Sequence, residues 1–598
     1  MIFRLGAMFF TACIALVACS DEMTEENGFR ENEGEMHMYG AKVALVLPSE
    51  SGGGKSIMSR AGEEPDFGDG NENEYKVSKD NVRFVFLDDN HHTMSVVSGK
   101  EVKWTTEFPN TGSESGNANV TQQGTVQITA DRRPAYLVVL CNVDSDVETA
   151  LKGSNSAISY TTLQETLSPT TTGASTKDFW LSHVASTENG FLMTNSTYAN
   201  DANAPTSTNT IKAVKVDATS IVEISQLETA TPVEVYVERV VAKASLKISD
   251  TNEPQTSTGN GTYYKLNDGT EGTQHEFGVK LLGWTLNATN KSFLPLKKIE
   301  GIISDWEEMA DVSLMNSTTY HRSYWAADGN YTDGTYANNS NFIGASTDSY
   351  TNWADNSLNY YTIKEASTHN TNFDGKTASY CLENTMNAET AKNKAAITHM
   401  LIVGQYVNSD GSALDEDKDV YRFEGKIYTK AQLGKYIKDH LKNLGYNVNN
   451  VPDTDFTFEV DNSTWKDRAD VKITKVYYSG EEENLQKYKK GGTDDLKTSV
   501  FGWTTLWVYP NGYCYYTVPI RHFEASNKDK VGYYGMVRNH WYVVTVTLQG
   551  FGEPANPDKP VIPDDTEESD YALKAEINVL SWATKKQGST VGGDITWD

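Results

Sequence analysis

The stretch from Tyr571 to Trp582, reading YALKAEINVLSW, constrains this chain more than any other. Tyr571, Leu573, Ala575, Ile577 and Val579 alternate with Lys574, Glu576 and Asn578, which gives an extended strand one apolar and one wet face. Ahead of it, Gly550 to Asp570 carries four prolines and seven acidic residues, a composition that cannot build a core and acts as a semi-rigid spacer. An isolated strand is unstable alone, so this one must add to a sheet. A matching piece, Tyr39 to Leu47 (YGAKVALVL), places Tyr39, Ala41, Val43, Leu45 and Leu47 on one face. The chain reads as organised around these two strands competing for one groove.

The whole chain has 598 residues, too many for one core, and two or three domains are expected. Short apolar runs broken by Thr, Asn, Ser and Gly favour an all-β chain of sandwiches over helical bundles. A net charge of −29 repels phosphate backbones and argues against a nucleic-acid partner. Residues 1–18 read as a signal peptide whose apolar run is too short to stay as a spanning helix, and Leu16-Val17-Ala18-Cys19 reads as a lipobox. Cleavage there leaves Cys19 free to be acylated, by palmitate-type chains among others, and to hold a precursor on a membrane. Cys141, Cys381 and Cys514 sit in or beside strand-like runs and read as buried free thiols.

Along the chain, residues 19–60 form a propeptide with the Tyr39–Leu47 strand and a glycine-rich loop offering Lys55 and Arg60 to a protease. Strands are predicted at Val82–Leu87, Gly124–Ile128 and Ala135–Val143, then a short helix capped by Ser145 and ended by Gly153. Residues 61–240 form a first sandwich, and Val233–Ile248 links it to a second over 241–550. That second domain carries strands at Gly278–Leu286, Thr398–Tyr406, Phe456–Val460, Val471–Tyr478, Thr504–Pro510, Tyr513–Ile520 and His540–Leu548. Its helix, Lys430–Leu444, shows an apolar stripe stopped by Gly445. Residues 551–598 are tether and strand; no internal repeat is apparent.

The chemistry on offer is mostly declined. Ser49–Ser56 (SESGGGKS) lacks the first glycine and the following helix of a phosphate loop. Asp415, Asp417 and Asp419 have calcium-loop spacing, but Val420 and Lys426 stand where glycine and glutamate are required. His91-His92, adjacent on a strand, would point to opposite faces. No cofactor, metal or catalytic residue is expected; a glycosidase carboxylate pair, which meets only in space, stays open.

These features together resemble the lipoprotein-exported fimbrilins of type V pili, the minor-fimbria branch above all. The resemblance runs through Cys19, Leu45-Val46-Leu47-Pro48 with Arg60-Ala61-Gly62, Pro134–Leu151, Val237–Ser245, Gly283-Trp284, Ser323-Tyr324-Trp325, Cys381–Thr385, Thr398-His399, Arg538–Tyr542 and Ile577–Trp582. It implies two tandem Greek-key, transthyretin-like β-sandwiches with a few short helices. It also implies a lipidated outer-membrane precursor in which Tyr39–Leu47 is a placeholder. A trypsin-like surface protease would cut between Arg60 and Ala61. The C-terminal strand of a neighbour, Tyr571, Leu573, Ala575, Ile577, Val579 and Trp582, would then enter the groove. The implied partners are further copies in a head-to-tail homopolymer, anchor and tip subunits, and a host or bacterial surface receptor. Two other readings stay open: a non-polymerising surface lipoprotein or tip adhesin that binds glycan or protein, and a surface glycosidase. Thr251–Thr273 and Tyr320–Tyr361 read as inserted loops.

Overall fold

A computed structural model describes residues 36–46, 74, 76–105, 120–153, 157–168, 177–186, 188, 190–199, 210–211, 213–266, 277–299, 321–322, 325–329, 331, 358–388, 390–392, 394–414, 418–461, 470–489, 496, 505–522, 531–562 and 573–581. Among them the chain is all-β with short helices. Its first half contributes β1 (His37–Val46), β2 (Arg83–Leu87), β3 (Thr93–Ser98), β4 (Lys103–Thr105), β5 (Val120–Ala130), β6 (Tyr136–Cys141), α1 (Ser145–Lys152), α2 (Tyr160–Gln164), α3 (Phe179–Val184), β7 (Met193–Asn195), β8 (Ile221–Glu223) and β9 (Val233–Arg239). The strands join in the order β3-β2-β6-β7-β9-β1-β5-β4, with β8 also on β1. The sheet folds around a core to which β1 gives Tyr39, Ala41, Val43 and Leu45, β2 gives Phe84 and Phe86, and β9 gives Val233, Val235 and Val237. On the opposite face of β2 and β6, Val147, Leu151, Leu163 and Trp180 of the three helices cover Val85, Val138 and Leu140. The cap of α1 is Asp144, whose side chain accepts from the amides of Asp146 and Val147, rather than Ser145. Asp at this place also favours the positive helix end.

The alternating run Val233–Ile248 is two strands. At the buried Val240 the chain leaves the first sheet and enters a second as β10 (Val241–Ile248). There follow β11 (Pro254–Ser257), β12 (Gly261–Lys265), β13 (Gly278–Asn287), α4 (Ile363–His369), β14 (Asp374–Leu382), β15 (His399–Val407), β16 (Val420–Phe423), β17 (Lys426–Thr429), α5 (Lys430–Asn443), β18 (Phe456–Asp461), β19 (Asp470–Tyr478), β20 (Thr505–Tyr509), β21 (Tyr513–Pro519), β22 (His540–Leu548) and β23 (Leu573–Ser581). The sheets β14-β10-β22-β23 and β11-β12-β13-β15-β21 face each other across Ala244, Leu246, Tyr542 and Val544 on one side and Trp284, Ile402, Tyr516 and Val518 on the other. The facing sides close the core of a sandwich, and Leu401 and Val403 on the far side of β15 are buried in turn against Ile363 and Ala366 of α4. On the outer face α4 lies so close to β13 that a Cβ on Gly283 would stand 2.6 Å from the carbonyl of Ala366.

Two expectations change. Thr251–Thr273, read as a loop, contains the hairpin β11–β12; its alternation is too polar to announce a strand. The second half also has a further core. The sheet β17-β16-β20-β19-β18 packs Leu433, Ile437 and Leu441 of α5 against Phe456, Ile473, Val476 and Leu506. No helix among the described residues is long and apolar enough to cross a membrane. The three downstream cysteines are buried and unpaired with one another, and burial lifts the thiols of Cys141 and Cys514 to about 12, so they are inert.

The junction around Val240 is built from buried charge. Arg538 binds Glu383 at 2.8 Å with both side chains at most 1% exposed, and its guanidinium also donates to the carbonyls of Leu294 and Pro295. Glu238 meets Lys297 at 2.8 Å, equally buried. Such pairs add little net stability against apolar replacements, but breaking one strands a charge. Arg538→Met is therefore expected to lower unfolding free energy by about 3–5 kcal/mol in denaturant titration. Adding Glu383→Leu to the same chain is expected to recover a good part of that loss.

Candidate functional site: the β1 slot and the C-terminal strand

β1 exists because Tyr, Val and Leu alternate with smaller residues in a segment free of proline. It is an interior strand. One flank runs antiparallel to β5 from His37 opposite Ala130 to Val46 opposite Val120, with an irregularity at Leu45/Val46. The other flank pairs with β8 at Tyr39–Ala41 and then runs parallel to β9, Val43 opposite Val233. Tyr39, Ala41, Val43 and Leu45 are all at most 4% exposed, and complete burial of a Val- or Leu-sized side chain is worth roughly 1.5–3 kcal/mol. Of the outward residues Gly40, Lys42, Ala44 and Val46 are buried too, while Met38 is exposed. A 3-10 segment, Ile224–Thr229, roofs the strand, and the ammonium of Lys42 donates to the carbonyl of Glu228 at 2.8 Å. Sequence periodicity foretold the inward face; the roof, with Gly40 and Lys42 beneath it, was not foreseen, because its residues lie far away in the chain.

Leu47, Cys19, Arg60 and Ala61 lie outside the described residues. At Glu74 the chain is fixed to the junction. Its carboxylate binds Lys243 Nζ at 2.9 and 3.1 Å and accepts from Tyr380, while its carbonyl accepts from Arg239 Nε at 2.6 Å. Lys243 also sits 4.1 Å from the Trp541 ring centroid. Burial pushes Lys243 below the usual lysine range and the Tyr380 phenol upward, the nearby carboxylate restoring part of the lysine's basicity.

The C-terminal segment departs from expectation. Its first part is not held off the body. The hydroxyls of Tyr509 and Tyr516 donate to the carbonyls of Gly552 and Gly550 at 2.9 and 3.2 Å, Glu553 bridges Tyr515, and Ala555 and Val561 are buried. Prolines suit this path, since an edge-lying extended segment needs few amide donors. β23 pairs antiparallel with β22 over nine positions, Leu573 opposite Leu548 through Ser581 opposite His540. Leu573 is buried, Ala575 and Ile577 pack on the same core, and Lys574 and Glu576 are exposed. Val579 stands opposite Tyr542 in that ladder; Tyr571 and Trp582 lie outside the described residues. Within one chain the two strands thus occupy different sheets rather than one groove. The amphipathic pattern demanded a sheet edge and could not say which.

Asn287 ties this segment to a buried histidine. Its amide donates to the carbonyl of Val561 at 2.7 Å and meets His399 Nε2 at 2.9 Å, while His399 Nδ1 faces the Ile397 carbonyl. A carbonyl only accepts, so Nδ1 carries the proton and Nε2 accepts from Asn287. Burial holds His399 down to about 4. Its neutral form is the one the fold needs, so the stabilisation is complete above about pH 6.5 and is lost as pH falls toward 4. Unfolding midpoints are expected to drop across that window, and less steeply in His399→Gln, which keeps an acceptor and does not titrate.

Among the described residues Asp144, Asp146 and His183 bring three ligand atoms within 4.8 Å. Asp144 caps α1 and contacts His183 at 2.6 Å, so the fold already uses them. His91 takes a left-handed turn and stacks on Tyr136 at 4.3 Å, away from any ligand set. The aromatic ends of Tyr320–Tyr361 pack inward, with Trp325, Tyr331, Tyr360 and Tyr361 buried.

Residues 507–588 match the family model described as major fimbrial subunit protein type IV, fimbrillin, C-terminal. No curated protein matches the chain. Solved structures similar to it include a fimbrilin (fimA) from Porphyromonas gingivalis, 14% identical, covering 92% of this chain and 99% of that one at a TM-score of 0.35. The tip fimbrial protein Mfa3 from the same organism, with a C-terminal truncation, is 10% identical over 90% and 100% at 0.26. A fimbrial assembly protein from Parabacteroides distasonis is 9% identical over 62% and 87% at 0.24. Superpositions this loose carry no weight beside the family match. The resemblance to fimbrilins therefore rests on the stretch that holds most of β20 and all of β21 to β23, which matches the C-terminal region of that family.

Proposed function

We propose that the chain is a structural subunit of a surface fimbrium, without an active site, that polymerises by protease-triggered strand exchange. One observation carries the reading: β1 is an interior strand whose covalent link to the remaining strands runs through residues 47–73 alone. No disulfide can replace that link, because Cys141, Cys381 and Cys514 are free. A cut after Arg60 leaves β1 held by noncovalent contacts, while Glu74 keeps the new N-terminal arm on the junction. The lipid on Cys19 and the acidic spacer depart with β1, so the precursor is membrane-held and the mature subunit is not. The emptied slot exposes ladder groups on both β5 and β9, a template for pairing.

The occupant would be the strand Tyr571–Trp582 of another copy. β23 has one partner, β22, and sits at a sheet edge, so it can leave with fewer broken bonds than an interior strand. Slot and donor are different surfaces, and such a contact is head-to-tail and propagates into a filament. Anchor and tip subunits would end it, and a host or bacterial receptor would meet its surface. The nine-residue pairing of β23 with its own β22 favours a second reading, a non-polymerising lipoprotein or tip adhesin.

Limited trypsin treatment of the full chain decides between them. Strand exchange predicts an N-terminus at Ala61 together with detergent-resistant ladders, and monomers when residues 571–598 are deleted. A cut chain that stays monomeric, or one that resists cutting at Arg60, would overturn the shaft reading and leave the adhesin.

A further inference from the structure

We propose that the β1 slot accepts the C-terminal strand of a second copy in a single register, with Tyr571 in the place of Tyr39 and the strand running in the direction of β1. This rests on the exchange reading and adds to it the feature that selects the strand. The roof over β1 tests two outward positions. A Cβ on Gly40 would meet Leu227 Cδ1 at 2.9 Å and Ile224 Cδ1 at 3.0 Å. Both atoms end flexible side chains, so a methyl group is accommodated by a small shift and a longer side chain wedges the roof open. Two residues on, the buried Lys42 spends its charge on the Glu228 carbonyl.

The outward face of the donor strand reads Ala572, Lys574, Glu576, Asn578, Leu580 and Trp582. Ala572 is the one small residue among them, and Lys574 follows it at the spacing of Gly40 and Lys42. The two segments therefore share a pattern, YGAK at 39–42 and YALK at 571–574. On the inward face Leu573 and Ala575 replace Ala41 and Val43, so a large and a small side chain exchange places at nearly constant volume, the kind of change cores tolerate best. Ile577 and Val579 then take the places of Leu45 and Leu47.

Shifting by two, with Ala575 on Ala41, matches the inward face more closely but drives Lys574 under the roof and sets the Glu576 carboxylate against the Glu228 carbonyl. Reversing the strand puts Lys574, Glu576, Asn578 or Leu580 under the roof, or else draws Asp570 and Glu568 into the slot. With Val561 and Ile562 still seated on the donor's body, eight residues separate Ile562 from Tyr571, and the nine steps between them reach at most about 32 Å. The acceptor's roof must lie within that distance of the donor's Ile562.

Cysteine trapping in the full-length chain tests the register. Ala41 stands opposite Val126, so after trypsin cleavage and oxidation Leu573→Cys with Val126→Cys should give covalent ladders. Ala575→Cys with Val126→Cys should give few. Ladders from the second pair in preference to the first leave strand exchange standing and overturn the register. An unsubstituted chain that is cut yet forms no polymer overturns the exchange reading and the register with it. As an independent readout, Ala572→Leu should slow assembly about tenfold, and Leu227→Ala in the accepting copy should restore it. Unchanged assembly by Ala572→Leu would remove the roof as the selecting element.

Discussion

The first sandwich depends on one strand, β1, that comes well before its partner strands in the chain. β1 makes ladders with β5, β8 and β9 and fills the core between them, so the sheet is continuous only while β1 is in place. Interior strands are the best satisfied elements of a sheet, because both rows of backbone groups are paired away from water. β1 therefore gives the first sheet more pairing and burial than an edge strand can. The contrast with β23 is physical. Among the described residues β23 is an edge strand with one partner and with Lys574 and Glu576 exposed, so it is held by half the ladder and part of the burial.

Around this the junction is rigid. Three buried ion pairs, Glu74–Lys243, Glu238–Lys297 and Glu383–Arg538, converge where the chain crosses from β9 to β10. Charges in such a place cost desolvation and return it only with full hydrogen bonding, and here backbone carbonyls of Leu294, Pro295 and Glu74 supply acceptors. They tie residues near 74, 240, 295, 383 and 540 to fixed places.

Legibility followed length and amphipathicity. β13, β15, β21 and β22 were readable because each is a run of seven to ten residues rich in apolar, β-branched and aromatic side chains, and α5 because its stripe is framed by a capping box at Thr429 and Gln432 and by Gly445. The hairpin β11–β12 and strand β14 were not, being polar on both sides or masked by surrounding Ser and Thr. The separate core under α5 could not be foreseen from strands that look like continuations of the same sandwich. Tyr509 and Tyr516 lie in strands that are readable, but nothing local says that their hydroxyls donate to the carbonyls of Gly552 and Gly550.

The sequence by itself determined that this is an all-β chain with one apolar strand ahead of a glycine-rich segment and another behind a proline-rich acidic segment. It determined the inward faces of both strands, since alternation is a property of neighbours along the chain. Only the tertiary structure decided that β1 is interior, that β23 sits on its own β22, and that Glu74 is locked to the junction. It alone placed Ile224 and Leu227 over Gly40. Those facts depend on contacts between separate elements, from Leu548 with Leu573 to Gly40 beneath Leu227, and no local pattern encodes which of several compatible edges a strand will meet.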